Sequence, residues 1–168
     1  MTDHEVVISD PDSSGDALDE LAPLWRQMQL HQIAVAQHEH LNHDLERGWA
    51  IRRERYVREL GRGGAILRAH RGGRLVGYCA LSLQPRPSET FSSMAAVMVI
   101  TLTVDEAERG RGVGSALLRA AEDAAHGLGA DTLGLEVMPG NDRARGLYER
   151  LGFEPVEVRM HRRIIRSD

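Results

Sequence analysis

The segment Thr103-Val104-Asp105-Glu106-Ala107-Glu108-Arg109-Gly110-Arg111-Gly112-Val113-Gly114-Ser115 constrains the fold more than any other stretch of the chain. Before it, Ala95 to Val104 is almost wholly apolar and β-branched, the pattern of a strand covered on both faces. After it, Val113, Ala116/Leu117, Ala120, Ala124 and Leu128 recur at helical spacing, and Gly129 ends the run. A buried strand thus enters a turn with alternating glycines at 110, 112 and 114, and the turn opens an amphipathic helix. Glycines in such a turn let successive backbone N–H groups converge on one point, where the helix start adds partial positive charge. An oxyanion such as a pyrophosphate is the natural guest.

Two nucleotide-binding readings of the turn fail. A Walker-type phosphate loop requires a lysine, and all 21 basic side chains of this chain are arginine. The same absence rules out Schiff-base chemistry on a lysine. A dinucleotide-binding turn should follow the first strand of a βαβ unit, with an acid about 20 residues on. Here the turn lies two-thirds of the way along 168 residues, behind an antiparallel-looking meander.

The rest of the chain reads as one mixed α/β domain over 1–168. Val6–Ile8 is a short strand followed by a turn-rich stretch, and a helix runs to about Gln37 with Pro23 marking a kink or a start. Trp49 to Leu60 is a second helix; strands at 65–69 and 75–81 flank the Arg71-Gly72-Gly73-Arg74 hairpin turn. Thr132–Val137 is a strand, Asp142–Leu151 a short helix, and Phe153–Ile165 is extended, as one strand or a hairpin.

At this point the residues resemble the GNAT superfamily of acyl-CoA N-acyltransferases. Its pyrophosphate motif, Arg/Gln-x-x-Gly-x-Gly/Ala, is matched by Arg109-Gly110-Arg111-Gly112-Val113-Gly114. Its second block, Asn-x-x-Ala-x-x-x-Tyr followed by Gly-Phe, is matched by Asn141, Ala144, Tyr148, Gly152 and Phe153. One amphipathic helix and one strand separate the blocks, as in that family. The likeness covers about residues 65–160 well and the first 60 by element order alone.

The resemblance implies an α/β (α+β) fold with a mixed, mostly antiparallel central sheet and about four flanking helices. It implies acetyl transfer from acetyl-CoA, as co-substrate, to a primary amine in a ternary complex. Leu102, Thr103 and Val104 would run beside the pantetheine arm; Arg109, Gly110, Arg111, Gly112, Val113, Gly114 and Ser115 would hold the pyrophosphate; Asn141 would hydrogen-bond the pantetheine. Tyr148 would protonate the leaving thiolate, its alternative being a core aromatic. Many family members place a glutamate in the strand before the turn, where this chain has Thr101 and Thr103. Glu136 resembles the base of the branch that acetylates protein N-termini, and reads equally as an outward carboxylate at a strand end. The other class of function compatible with the missing strand glutamate is a catalytically silent acyl-CoA-binding or interaction module.

Other features narrow the partners. Cys79 lies in an apolar run and reads as a quiet core thiol; one cysteine makes no intramolecular disulfide, and no metal-type Cys spacing occurs. Residues 37–46 pack three histidines and three acids whose spacing matches no metal site; they would line the acceptor side and attract a cationic amine. Residues 47–74 hold nine arginines against Glu54 and Glu59, but sparse aromatics (4%) and a net charge of −4 argue against nucleic acid. The acidic first 20 residues do not form a secretory signal, and the longest apolar run, 94–102, is half a membrane span. A cytoplasmic protein without membrane or metal partners is expected, its assembly open between monomer and homodimer.

Overall fold

Apolar runs on either side of the Gly72–Gly73 turn, buried on both faces, build the centre of the sheet. In the computed structural model, which describes residues 5–36, 41–84, 96–158 and 160, β2 (Ala65–Arg71) and β3 (Arg74–Gln84) form an antiparallel hairpin with Ala65 opposite Leu81. β1 (Val7–Ile8) adds antiparallel to β2, and β4 (Ala96–Val104) antiparallel to β3. β5 (Thr132–Leu135) is parallel to β4, giving the order β1-β2-β3-β4-β5. The sheet is therefore mixed and mostly antiparallel. Phe153–Val158 join no strand, and the remainder of the extended stretch, 159 and 161–168, lies outside the described residues.

Among the described residues, four α-helices cover the sheet. α1 (Ala22–Ala36) follows a short 3-10 helix, Leu18–Leu21. Pro23 sits in its first turn, where the absent N–H costs nothing. α2 (Leu45–Leu60) begins ahead of Trp49, where the apolar pattern starts, because Asp44 caps it by accepting the Arg47 N–H at 3.0 Å. Gly48 belongs to this early turn: a Cβ there would meet the Trp25 ring at 2.7 Å, so the residue is small because α1 packs against it. α3 spans Val113–Gly127 and α4 Asp142–Arg150.

Strand alternation sends neighbouring side chains to opposite faces, and two cores result. Leu67, Cys79, Leu81, Val97 and Val99 pack under α3; Ile66, Tyr78 and Ala80 pack under α1 and α2 with Trp25, Trp49, Tyr56 and Leu60. The buried face of α3 differs from the expected stripe. Val113, Leu117, Leu118, Ala121 and Ala125 are buried, whereas Ala116, Ala120 and Ala124 are half-buried and Leu128 is 43% exposed. Alanines occupy both adjacent faces of this helix, so the pair Leu117–Leu118 alone sets its rotation. No helix among the described residues is long and apolar enough to cross a membrane.

α3 can approach the sheet closely because β3 carries Gly77 opposite Val104. A methyl group there would lie 2.9 Å from the Thr103 carbonyl oxygen and 3.3 Å from Leu117 and Val113. Gly77→Ala is expected to cost about 1–3 kcal/mol through overpacking. The readout is a lower urea midpoint at unchanged m-value; an unchanged midpoint would refute this seating of α3.

Candidate active site

β4 is paired unequally on its two edges. Toward β3 the ladder runs from Gln84 opposite Ala96 to Gly77 opposite Val104. Toward β5 it covers only Ala96–Val99 against Thr132–Leu135. Beyond Val99 no strand among the described residues pairs with that edge, so alternate residues of Ile100–Val104 have no ladder partner there, the Ile100 and Val104 carbonyls accepting instead from Arg52 and Arg109. Such an edge suits an extended, amide-bearing ligand that adds like a strand. Leu102, Thr103 and Val104 lie along it, and Glu136 is the first residue past the last β5 pair, exposed at its mouth.

An irregularity starts at the same point. Ala80 pairs with Thr101 and Leu81 with Val99, so Ile100 is an extra residue in β4. The bulge reverses the alternation: Val97 and Val99 face α3 before it, but Leu102 and Val104 do so after it. Thr101 and Thr103 are thereby turned into the α1/α2 layer, where both are buried and Thr103 Oγ1 donates to the Leu24 carbonyl at 3.4 Å.

Thr101 there joins a polar chain whose direction can be deduced. Its hydroxyl donates to the Ile100 carbonyl at 2.8 Å, an acceptor only. The 2.6 Å contact between Tyr56 and Thr101 therefore uses the Tyr56 proton, and the 3.0 Å contact of the two tyrosines uses that of Tyr78. Arg52 Nη1 also donates to the Ile100 carbonyl, at 2.9 Å. Burial raises the pKa of Tyr56 and raises that of Tyr78 still more. The hydroxyls stay neutral, and no carboxylate enters this chain. Sequence reasoning missed Arg52 and Tyr56 as site residues, since a bulge leaves no mark in an apolar run.

The glycine turn follows β4 directly. A 3-10 helix, Glu106–Glu108, is capped by Asp105, whose carboxylate accepts the Ala107 N–H at 2.9 Å. Gly110 and Gly112 then take φ of +83° and +81°, a left-handed conformation costly to any residue with a Cβ. Gly112 is the N-cap of α3, and no side chain caps the helix. A Cβ at Gly112 would meet no protein atom within 4 Å and would project into open space before the helix N-terminus. Val113, Gly114 and Ser115 form the first turn of α3 behind it, where the orphan N–H groups of a helix lie.

The arginines of the turn have protein partners. Arg109 folds back so that Nε donates to the Val104 carbonyl at 3.3 Å. Arg111 is 3.5 Å from Glu108 with its side chain 57% exposed. Glu108, 8% exposed, also receives Arg74 at 3.1 Å and Arg71 at 3.1 Å, the latter an ion pair not aligned as a hydrogen bond. Arg74 further pairs with Asp105 at 2.7 Å. The β2–β3 hairpin is thus fastened to the back of the turn. Arg143 on α4 comes within 4.0 Å of the position a Gly110 Cβ would take. It was not singled out from sequence, although it stands two residues after Asn141 in the second motif.

α4 closes the other side. A Cβ on Gly114 would meet Leu147 at 3.4 Å and Val104 at 3.7 Å, so the start of α3 lies against both α4 and the end of β4. Asn141 caps α4, its Oδ1 accepting the Ala144 N–H at 3.2 Å. Tyr148, the residue after Leu147, is half-buried with Phe153 edge-on at 5.9 Å, and burial pushes its pKa up to about 12. Of the histidine-rich segment, Gln37–His40 lie outside the described residues and His43 is exposed. Among the described residues no group of three His, Cys, Asp or Glu could hold a metal ion.

A mixed sheet that parts beside a glycine turn at an uncapped helix N-terminus defines a class of α/β transferase folds. Residues 28–153 match the acetyltransferase (GNAT) family, and the chain belongs to it. Over 92 residues it is 40% identical to the N-alpha-acetyltransferase RimI of Mycobacterium tuberculosis, covering 54% of this chain and 52% of that protein. Over 60 residues it is 45% identical to the mycothiol acetyltransferase of Beutenbergia cavernae, covering 36% of this chain and 20% of that protein. The matches thus span about half the length of the first relative and a fifth of the second. The structure of AAC(6′)-Iy in complex with the bisubstrate analogue CoA-S-monomethyl-acetylneamine shares the fold, with a TM-score of 0.68 at 18% identity, covering 96% of this chain and 99% of that one.

Cys79 is fully buried on β3, and desolvation pushes its thiol up to about 12. The thiolate is the reactive form, so the native protein is expected to resist iodoacetamide at pH 8 and to be alkylated promptly in denaturant. Stoichiometric labelling of the native state would overturn the assignment of Cys79 as inert core.

Proposed function

We propose that the protein transfers an acetyl group from acetyl-CoA to a primary amine by direct attack in a ternary complex. The observation carrying this reading is the conjunction of an uncapped α3 N-terminus, fronted by Gly110 and Gly112, with the β4 edge that parts from β5 after Val99. The first suits a pyrophosphate and the second the amides of a pantetheine arm. Family membership and the acetyltransferases among the relatives support the same donor.

In this reading the backbone of Gly110–Ser115 holds the pyrophosphate, with Arg111 and Arg143 at the rim and Arg109 bracing the end of β4. Leu102–Val104 align the pantetheine through their backbone, and Asn141 fixes the start of α4 beside it. The amine nitrogen attacks the thioester carbon, a C–N bond forms, and the C–S bond breaks. An aliphatic amine near pKa 10 must lose protons to react, and Glu136 takes one through water at the mouth of the opening. Tyr148 faces the leaving sulfur. With its phenol at about 12 against a thiol near 8.5, full proton transfer is uphill by roughly 5 kcal/mol. Its contribution is a hydrogen bond that stabilises the developing thiolate.

A silent acyl-CoA-binding module is the second reading, favoured by one observation: Thr101 and Thr103 put hydroxyls and no carboxylate on the buried face of β4. Thiol release from acetyl-CoA across a panel of amines separates the two. Acceptor-dependent release is expected, falling about 10²-fold in Tyr148→Phe with acetyl-CoA affinity retained. Because folding holds the Tyr148 proton to about pH 12, its ionisation should add no falling limb to the rate below pH 10. Glu136→Gln should lower the rate by a similar factor with acetyl-CoA affinity retained. Binding without amine-dependent turnover would establish the silent module, and an unaltered rate in Glu136→Gln would remove the base assignment.

The same reading makes a binding prediction. Gly112→Ala adds a methyl group where the pyrophosphate lies and strains a left-handed residue. The affinity for CoA, measured by calorimetry, is expected to fall at least tenfold; unchanged affinity would sink the anion cradle.

A further inference from the structure

We infer that the acceptor carries an oxyanion besides its reacting amine, and that the cavity between α1 and α2 binds it. This deepens the proposed transfer reaction and rests on it. The cavity holds about 190 Å³ and is lined by Trp25 and Gln29 from α1, by Asn42, and by Gly48, Ile51, Arg52 and Arg55 from the α2 side. At about 30 Å³ per water in the liquid, that space admits a carboxylate or phosphate with a short tether. Every polar group in this lining offers a hydrogen bond, and no described acidic side chain is among them.

Three of the five arginines on α2 meet no carboxylate among the described residues, and of these Arg47 is exposed. On α2, Arg53 is paired with Asp19 at 2.9 Å and Arg58 with Glu59 at 3.3 Å. Arg26, at the α1–α2 contact, forms a two-pronged pair with Glu46 at 2.9 Å. Arg52 and Arg55 meet no carboxylate among the described residues, and both are half-buried in the cavity wall. Desolvated cations without a counter-ion are costly, and an oxyanion arriving between two guanidinium forks gains charge-assisted, directional hydrogen bonds. Gln29 and Asn42 add amide donors opposite them.

The cavity is also next to the chemistry. Arg52 donates through Nη1 to the Ile100 carbonyl at 2.9 Å, at the bulge where β4 parts from β5. Arg55 lies one helical turn further out, at a Cβ separation of about 5–6 Å. An anion held there places an amine several bonds away at the opening.

The test compares matched acceptors differing in the anion alone: ω-amino acids of two to six carbons against their carboxamides, and aminoalkyl phosphates against the aminoalcohols. Binding to the CoA-loaded protein is measured by calorimetry and kcat/KM by thiol release. At least one acid is expected to exceed its neutral partner by tenfold or more in both readouts, and the better pair tells carboxylate from phosphate. In Arg55→Gln the ratio should fall to near one, and in Arg55→Lys it should be partly kept, which excludes misfolding as the cause. Equal binding of acid and neutral partner overturns the inference, as does a preference that survives in Arg55→Gln. Anion-dependent binding without turnover of any amine would uphold the cavity's role and sink the transfer reaction instead.

Discussion

The site depends on one inequality: β4 is hydrogen-bonded along its whole length to β3 and over four residues to β5. A strand paired on both edges has no free backbone groups, and one paired on neither would not hold its place. β4 is fixed from one side and open on the other from Ile100 onward. The bulge at Ile100 is the device that combines these states, because an added residue increases local twist and swings the strand away from a straight neighbour. The parting of β4 and β5, the inward turn of Thr101 and Thr103, and the approach of Arg52 to a backbone carbonyl share this origin.

Glycines then set how closely the helices reach the open edge. Gly77 lets α3 settle on β3 and β4, and at Gly114 the start of α3 meets Leu147 of α4 and Val104 at the end of β4. Three element ends, those of β4, α3 and α4, consequently meet around one opening, and none of them could do so over a β-branched side chain. The hydroxyl chain beneath the bulge is built on the other layer, from Tyr56 of α2 and Tyr78 of β3. The opening thus draws on both cores, with the side proposed for the cofactor on the α3 layer and the side proposed for the acceptor on the α1/α2 layer.

Much of this was legible in the amino-acid order, and the exceptions have physical reasons. Apolar runs flanking the Gly72–Gly73 turn defined the hairpin, and the alternating glycines at 110–114 located the turn that opens α3. Register was not legible: Val99-Ile100-Thr101 reads as uninterrupted strand, so neither the bulge nor the facing of the threonines could be inferred. The rotation of α3 was hidden because alanine is small and apolar at each of the competing positions. The start of α2 was missed since Asp44 caps it while Gly48 interrupts its apolar pattern. The partnerships of the arginines were hidden for a general reason. Arg71, Arg74 and Glu108 are brought together by tertiary folding, and composition alone shows only a basic stretch beside an acidic one.

The fastening of the hairpin to Glu108 bears on when the ordering of the turn is paid. The turn is braced from behind by side chains that belong to a different part of the sheet, so its shape is established with the fold. A guest meeting it loses little chain entropy in the turn itself, and more of the contact energy is available for affinity. The braced turn thus acts as a fixed anvil at one end of the opening.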